Sequence, residues 1–214
     1  MNTLDRNRQA LAIALAALAG YIDAVGYLSA DGYFVSFMSG NTTRLGVNIA
    51  RAPHLAAFPA LLIAGFVCGV AAGAFVSGKA GRWRKPSVLS LVSLLLLGAA
   101  LVRSAGGHGA VLALLVMAMG AINNTFQRGG AVAVGLTYMT GALVKLGQAL
   151  GAALLREKRT VPQAGGIAWL LLWCGLAGGA VLGALAFSHI ADAALWLGAG
   201  WALLMMAAST RLPA

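Results

Sequence analysis

The sequence predicts an all-α polytopic membrane protein built from two repeats, and three observations carry that prediction. The first is composition. Of 214 residues, 60% are hydrophobic and 9% are charged, too apolar for a soluble domain of this length. The second is a series of long apolar segments rich in small residues, with 29 glycines in the chain, as expected where helices pack closely in lipid. The third is a polar, glycine-containing phrase written twice: SFMSGNTTRLG at 36–46 and TYMTGALVKLG at 137–147, 101 positions apart.

The repeat comes first because it sets the architecture. Eight of the eleven aligned positions agree or are conservative, from Ser36 with Thr137 through Gly40 with Gly141, Arg44 with Lys145 and Gly46 with Gly147. At the same offset Asp23 falls opposite Asn124. A second pair, CGVAAGA at 68–74 and CGLAGGA at 174–180, lies at an offset of 106. The second half therefore gains five residues, and the loop around Arg156–Gly165 is the natural place. Two matches in the same order divide a single transmembrane domain, 1–214, into repeats at 10–103 and 111–209. Chance likeness between Gly- and Ala-rich helices is the alternative.

Each half holds four apolar segments: 10–28, 34–50, 58–78 and 87–103, then 109–127, 131–153, 166–187 and 192–209. A full span needs about 20 apolar residues. The second segment of each half is the weak one, since it carries the Ser/Thr-Gly phrase and a cation. The positive-inside rule decides whether it spans. With the second segments re-entrant and the N-terminus inside, the inner side holds Arg6, Arg8, Lys79, Arg82, Arg84, Lys85, Arg128, Arg156, Lys158, Arg159 and Arg211. Only Arg51 and Arg103 fall outside. With the second segments spanning, the split worsens to eight against five. The expectation is two inverted repeats, each of three spanning helices plus one broken or re-entrant segment. A count of seven or eight spans is the alternative to six.

Two such segments entering from opposite sides would meet near the midplane, a recurrent way to build a transport site. Gly40 and Gly141 would supply the break, with a helix restarting after each. Ser36, Ser39, Asn41, Thr42 and Thr43, with Thr137 and Thr140 in the second copy, would satisfy freed backbone groups or touch a solute. Arg44 and Lys145 lie four residues past each glycine, one turn in. Helix N-termini plus two cations would favour an anionic or carboxylate-bearing solute. Alternatively, both cations snorkel to an interface. Asp23, in YIDAVGY, is an acid late in the first span and needs a reason to be there. It pairs with Arg44, takes up a proton and couples transport, or is simply wet near the helix end. Asn123 and Asn124 are its polar counterparts and cannot titrate.

Other features carry less. The N-terminal MNTLDRNRQALAIALAALAG imitates a signal peptide but reads as the retained first span. Cys68 and Cys174 lie in apolar runs and read as small packing residues, not a disulfide or metal site. His54, His108 and His189 fall in predicted loops without metal-ligand spacing. Asn41-Thr42-Thr43 matches a glycosylation acceptor but sits in an apolar segment. Gln127 and Arg128 close the fifth segment. Gly65/Gly69/Gly73 and Gly175/Gly179/Gly183 form small-xxx-small ridges for helix packing within the chain, or for a homodimer. The net charge of +10 sits in short loops, with no basic groove and interleaved aromatics to suggest nucleic acid.

GYIDAVGYL at 20–28 followed by FVSFMSGNTTRLG at 34–46 resembles the YoaK-like family of bacterial membrane proteins, which carry a domain of unknown function. The resemblance extends over most of the chain. It implies a bacterial inner-membrane protein, and the charge distribution puts both termini in the cytoplasm. It supplies no substrate and no mechanism.

On the residues alone, the leading expectation is a small secondary transporter for an anionic or polar solute, with proton coupling through Asp23 as its sharper form. A passive channel and a partner subunit without transport activity are the alternatives. An enzyme is not expected, since there is no HExxH, no pair of catalytic carboxylates and no Ser/His/Asp set. No cofactor or metal is implied.

Overall fold

The computed structural model describes residues 5–212 apart from 31, 108, 129, 130, 133, 138 and 155–163. The described residues form eight helices: α1 (Arg6–Ser29), α2 (Met38–Arg51), α3 (Ala57–Lys79), α4 (Arg84–Ser104), α5 (Gly109–Ile122), α6 (Thr140–Leu154), α7 (Ala164–Ile190) and α8 (Ala194–Ser209). A two-residue antiparallel ladder, β1 (Gln127–Arg128) with β2 (Ala131–Val132), follows α5. Four helical stretches are long and apolar enough to cross a bilayer: Arg6–Ser29, Pro53–Lys79, Gly81–Ser104 and Gly166–Ser209. The last contains two helices, because the chain turns at Ala191, where φ is 46°. The same turn between α3 and α4 uses Gly81, with φ 52°.

Helix directions follow from which residues touch. On α7, Gly175, Gly179 and Gly183 lie against the backbone of Ile13, Ala17 and Tyr21 of α1, so these two helices run parallel. On α3, Gly69 and Gly73 lie against Met117 and Ala121 of α5, again parallel. Tight turns make α4 antiparallel to α3 and α5. The start of α8 meets the end of α4, through Trp196 Nε1 donating to Ser104 Oγ at 3.3 Å. Tyr21 of α1 donates to the Ala194 carbonyl at 2.8 Å, which brings the later part of α1 to the same end. Thus α1, α4 and α7 run one way and α3, α5 and α8 the other. Helix α1 packs on α7, and α5 packs on α3.

The glycines permit this closeness. A Cβ on Gly20 would collide with the Leu176 carbonyl, and one on Gly120 with the Phe66 carbonyl. The same atoms would lie near the amides of Ala180 and Val70 respectively. Residues 66 and 70 thus answer to 176 and 180, an offset of 110 where the CGVAAGA match gives 106. The difference is one four-residue step. A small-xxx-small ridge repeats every four residues, so a slip of one step aligns its glycines equally well. Cys68 and Cys174 are both exposed, not packed as small residues, because they sit beside the ridges and point away from them. The centre is filled by Leu15, Leu18 and Ile22 of α1, Leu89 and Leu96 of α4, and Leu115 and Met119 of α5, each under 2% exposed.

The weak second segments divide into loop and helix. In 34–50 the chain is non-helical through Phe37 and α2 begins at Met38; in 131–153 the helix begins only at Thr140. Gly40 and Gly141 therefore lie in the first turn of α2 and α6, not at a break with a restart after it. Gly40 makes room for the Phe37 and Phe34 rings, which a Cβ would approach to 2.7 and 3.0 Å, whereas Gly141 faces open space. His189 closes α7 and His54 sits in a helical turn, both exposed; His108 lies outside the described residues. Gln127 and Arg128 form β1 and do not extend α5, which ends at Ile122. The expected insertion around Arg156–Gly165 lies almost wholly outside the described residues.

Gly179→Ala should destabilise the protein by about 1–3 kcal/mol, because its Cβ has only the Ala17 backbone to meet. Gly178→Ala, with nothing within 4 Å, should be neutral or slightly stabilising. Thermal unfolding of the two variants in detergent checks this contrast.

Candidate functional site

The loop before α2 is drawn into the bundle by Asp23. One carboxylate oxygen accepts from the backbone N–H groups of Val35 and Ser36, each at 2.8 Å. These groups need an acceptor because the backbone here is neither helix nor sheet. Val35 is fully buried, with its side chain against Gly26, where a Cβ would come within 2.6 Å of it. Asn41 finishes the fastening: its oxygen accepts from Phe34 N–H at 3.1 Å, and its amide donates to the Phe34 carbonyl at 2.7 Å.

The second half repeats the device without a charge. The Asn123 side-chain oxygen accepts from Leu136 N–H at 3.0 Å and from the Thr137 hydroxyl at 3.3 Å. Its amide donates to the same hydroxyl at 3.0 Å. Asn123 thus holds the loop before α6 as Asp23 holds the loop before α2. Asn124 instead donates to the Val70 carbonyl at 3.0 Å and accepts from Gln127 at 2.8 Å, tying the end of α5 to α3.

The two polar phrases do not meet at the midplane. The guanidinium of Arg44 lies 4.5 Å over the ring of Tyr33, just beyond the end of α1. The ammonium of Lys145 lies 4.1 Å over Trp169, near the start of α7. Because α1 and α7 run parallel, these are opposite ends of the bundle. Asp23 does not pair with Arg44; its oxygen faces the loop backbone. Ser39, Thr42, Thr43, Thr140 and Lys145 are exposed. The hydroxyls of Thr42 and Thr43 turn back to the carbonyls of Met38 and Ser39, at 2.8 and 3.1 Å. Ser36, Asn41 and Thr137 are buried. Most of the polar residues of the phrase therefore shape the loop and the first turn of its helix.

A cavity of about 440 Å³ borders this region and opens at the Tyr33 end. Tyr33, Phe58, Val25, Leu112, Phe187 and Leu195 give it an apolar wall, and Arg103 and Asp192 give it an ion pair of 2.7 Å. Arg103 is the more buried partner, with 17% of its side chain exposed against 48% for Asp192. Tyr33 joins the cavity to the first phrase, since Arg44 covers its face and Phe58 meets it edge-on at 4.8 Å. Sequence reasoning missed Arg103 and Asp192. They stand 89 positions apart and meet only because the end of α4 packs on the α7–α8 turn. Their one sequence signal was Arg103 as a basic residue on the poorly charged side.

A family model described as a protein of unknown function, DUF1275, matches residues 11–208. The chain is 39% identical over 215 aligned residues to a UPF0700 transmembrane protein of Rhizobium meliloti strain 1021, covering 98% of this chain and 91% of that one. It is 28% identical over 160 residues to the UPF0700 transmembrane protein YoaK of Bacillus subtilis strain 168, covering 71% of each. No solved structure matches the chain significantly. Relatives named as transmembrane proteins and the long apolar helices together establish a membrane protein.

Asp23→Ala strands two buried N–H groups, at a cost of about 1–3 kcal/mol each, and should free the loop of residues 32–37. Asp23→Asn keeps an acceptor oxygen, as Asn123 does in the other half, and should hold the loop. Hydrogen exchange at Val35 and Ser36 reads the difference: fast in the alanine variant, near wild type in the asparagine variant.

Proposed function

The chain belongs to the DUF1275 family, and from that premise we propose that it is a small secondary transporter of the bacterial inner membrane, carrying an organic anion. The observation that supports this most is the Tyr33-end cavity, whose buried cation is matched by an acid on its more exposed side. A carboxylate-bearing solute would replace Asp192 at Arg103 and set its apolar body against Tyr33 and Phe58. The volume of about 440 Å³ suits a small organic molecule.

Six spans in two inverted repeats are the architecture this reading uses. Three facts favour it: the opposite directions of corresponding helices, the exchanged pairing of α1 with α7 and α5 with α3, and the paired anchors Asp23 and Asn123. Because α1 ends and α3 begins at the same end of the bundle, α2 with its preceding loop is read as re-entrant. The loop between α5 and α6 is its opposite number. Lys79, Arg82, Arg84, Lys85 and Arg211 gather at the end where α4 starts, so that end is read as cytoplasmic, with both termini. The filled centre of Leu15, Ile22, Leu89 and Met119 favours an occluding transporter over an open channel. Asp23 is the titratable one of the two anchors. Its protonation would weaken its hold on Val35 and Ser36 and couple the loop to a proton gradient. The faces of α2 and α6 that expose Val47, Ile49, Val144 and Leu150 are those a second copy would cover.

Charge movement on supported membranes carrying liposomes with the purified protein tests the proposal, with a panel of small carboxylates and inorganic anions. Arg103→Gln should abolish solute-specific currents. Asp192→Asn should tighten binding by about tenfold, since it removes the competing anion. Asp23→Asn should keep solute binding and lose the response to a pH gradient. Currents unchanged in Arg103→Gln would refute the assigned site, and currents indifferent to pH in the wild type would refute the coupling.

A further inference from the structure

We propose a second site, for a phosphate group, at the end of the bundle remote from Tyr33, between the α3–α4 turn and the end of α8. A cavity of about 430 Å³ lies there. Arg82 and Trp83 from the turn, Pro86 of α4, and Thr210, Arg211 and Leu212 after α8 line it. Two guanidiniums thus share one hollow, and neither makes an ion pair among the described residues. The Thr210 hydroxyl donates to the Ala207 carbonyl at 2.7 Å, which leaves the guanidiniums as the donors. Guanidinium forks match the tetrahedral oxygens of a phosphate.

The opposite end of the molecule shows what this end lacks. The α7–α8 turn carries Asp192 one residue after Ala191 (φ 46°), and the α3–α4 turn carries Arg82 one residue after Gly81 (φ 52°). These positions differ by 110, the same offset that relates 66 to 176. At the Tyr33 end the acid of the turn neutralises Arg103 at the end of α4. At this end the turn carries a cation, and the cation that follows α8, Arg211, meets no acid among the described residues. The helix entered from the turn deepens the deficit. Arg84 occupies the first turn of α4, which has no acidic residue and no side-chain cap. A cation there opposes the helix dipole. Asp5 is the described acid of this region, and it is already held by Arg8 at 3.3 Å. An external anion supplies the missing charge.

Trp83, 48% exposed and lying 5.3 Å from the Arg82 guanidinium, is placed as an interfacial anchor at the rim of the bundle. A lipid headgroup phosphate and a free phosphate both fit this chemistry, and the site stands whether or not the Tyr33-end cavity moves a solute.

The test uses the full chain in detergent, with thermal unfolding and native mass spectrometry in the presence of phosphatidylglycerol, phosphatidylcholine or inorganic phosphate. The expected result is stabilisation and retained adducts with phosphatidylglycerol, with affinity reduced on the order of tenfold in Arg82→Gln/Arg211→Gln. Lys79→Gln, which removes a nearby charge outside the cavity, should bind as wild type. Stabilisation by phosphatidylglycerol alone identifies a lipid headgroup; stabilisation by inorganic phosphate identifies a free phosphate-bearing ligand. Arg82→Lys/Arg211→Lys keeps the charge and loses the forks, and should also bind more weakly. Binding by the double glutamine variant equal to wild type would overturn the site. So would an equal loss in Lys79→Gln, which would reduce the effect to general surface charge.

Discussion

Backbone-to-backbone contact at glycine is the constraint on which the rest of the molecule depends. In lipid, apolar side chains gain little by leaving the solvent, so helices associate through close packing and hydrogen bonds. Gly179 and Gly183 bring α7 onto the backbone of α1, and Gly69 and Gly73 bring α3 onto α5. These contacts fix the heights of α7 on α1 and of α3 on α5. Once they are fixed, the tight turns leave α4 and α8 only the antiparallel course between them.

The height of α1 in turn fixes where Asp23 stands, and Asp23 determines how deep the following loop can go. Non-helical backbone inside a membrane protein is held only where each N–H finds an acceptor. Asp23 provides that acceptor for two consecutive amides, and Asn123 does the same for Leu136. The two halves use the same geometry with different chemistry. The first anchor can change its charge and the second cannot. Tyr33, at the mouth of the cavity, lies between this anchored loop and the end of α1, so the anchor and the cavity wall belong to one segment of chain.

Much of the fold was legible because apolar length and small-residue ridges are properties of single helices. The segments 10–28, 58–78 and 87–103 fall inside α1, α3 and α4. What could not be read was the phase of one ridge against another. Its four-residue period hides a slip of four, and the CGVAAGA match took that slip. The polar phrase was visible as a repeat, but not what its residues do. Asn41 and Thr42 carry groups that suit a solute and that equally suit a nearby carbonyl, and the carbonyls are closer. The ion pair of Arg103 and Asp192 was invisible for a different reason. No local pattern joins a residue at the end of α4 to one in the α7–α8 turn.

The pairing of α1 with α7 has a consequence for how the chain is made. A helix enters the bilayer soon after it is synthesised, yet the main partner of α1 begins only at Ala164. Until then the face of α1 that bears Ala17 and Gly20 meets lipid, or a chaperone of the insertion machinery. By contrast α3, α4 and α5 follow one another closely and can assemble at once. Although α1 precedes α3, α4 and α5 in the chain, it is then seated after them, and the loop that Asp23 anchors settles only once α7 has been made.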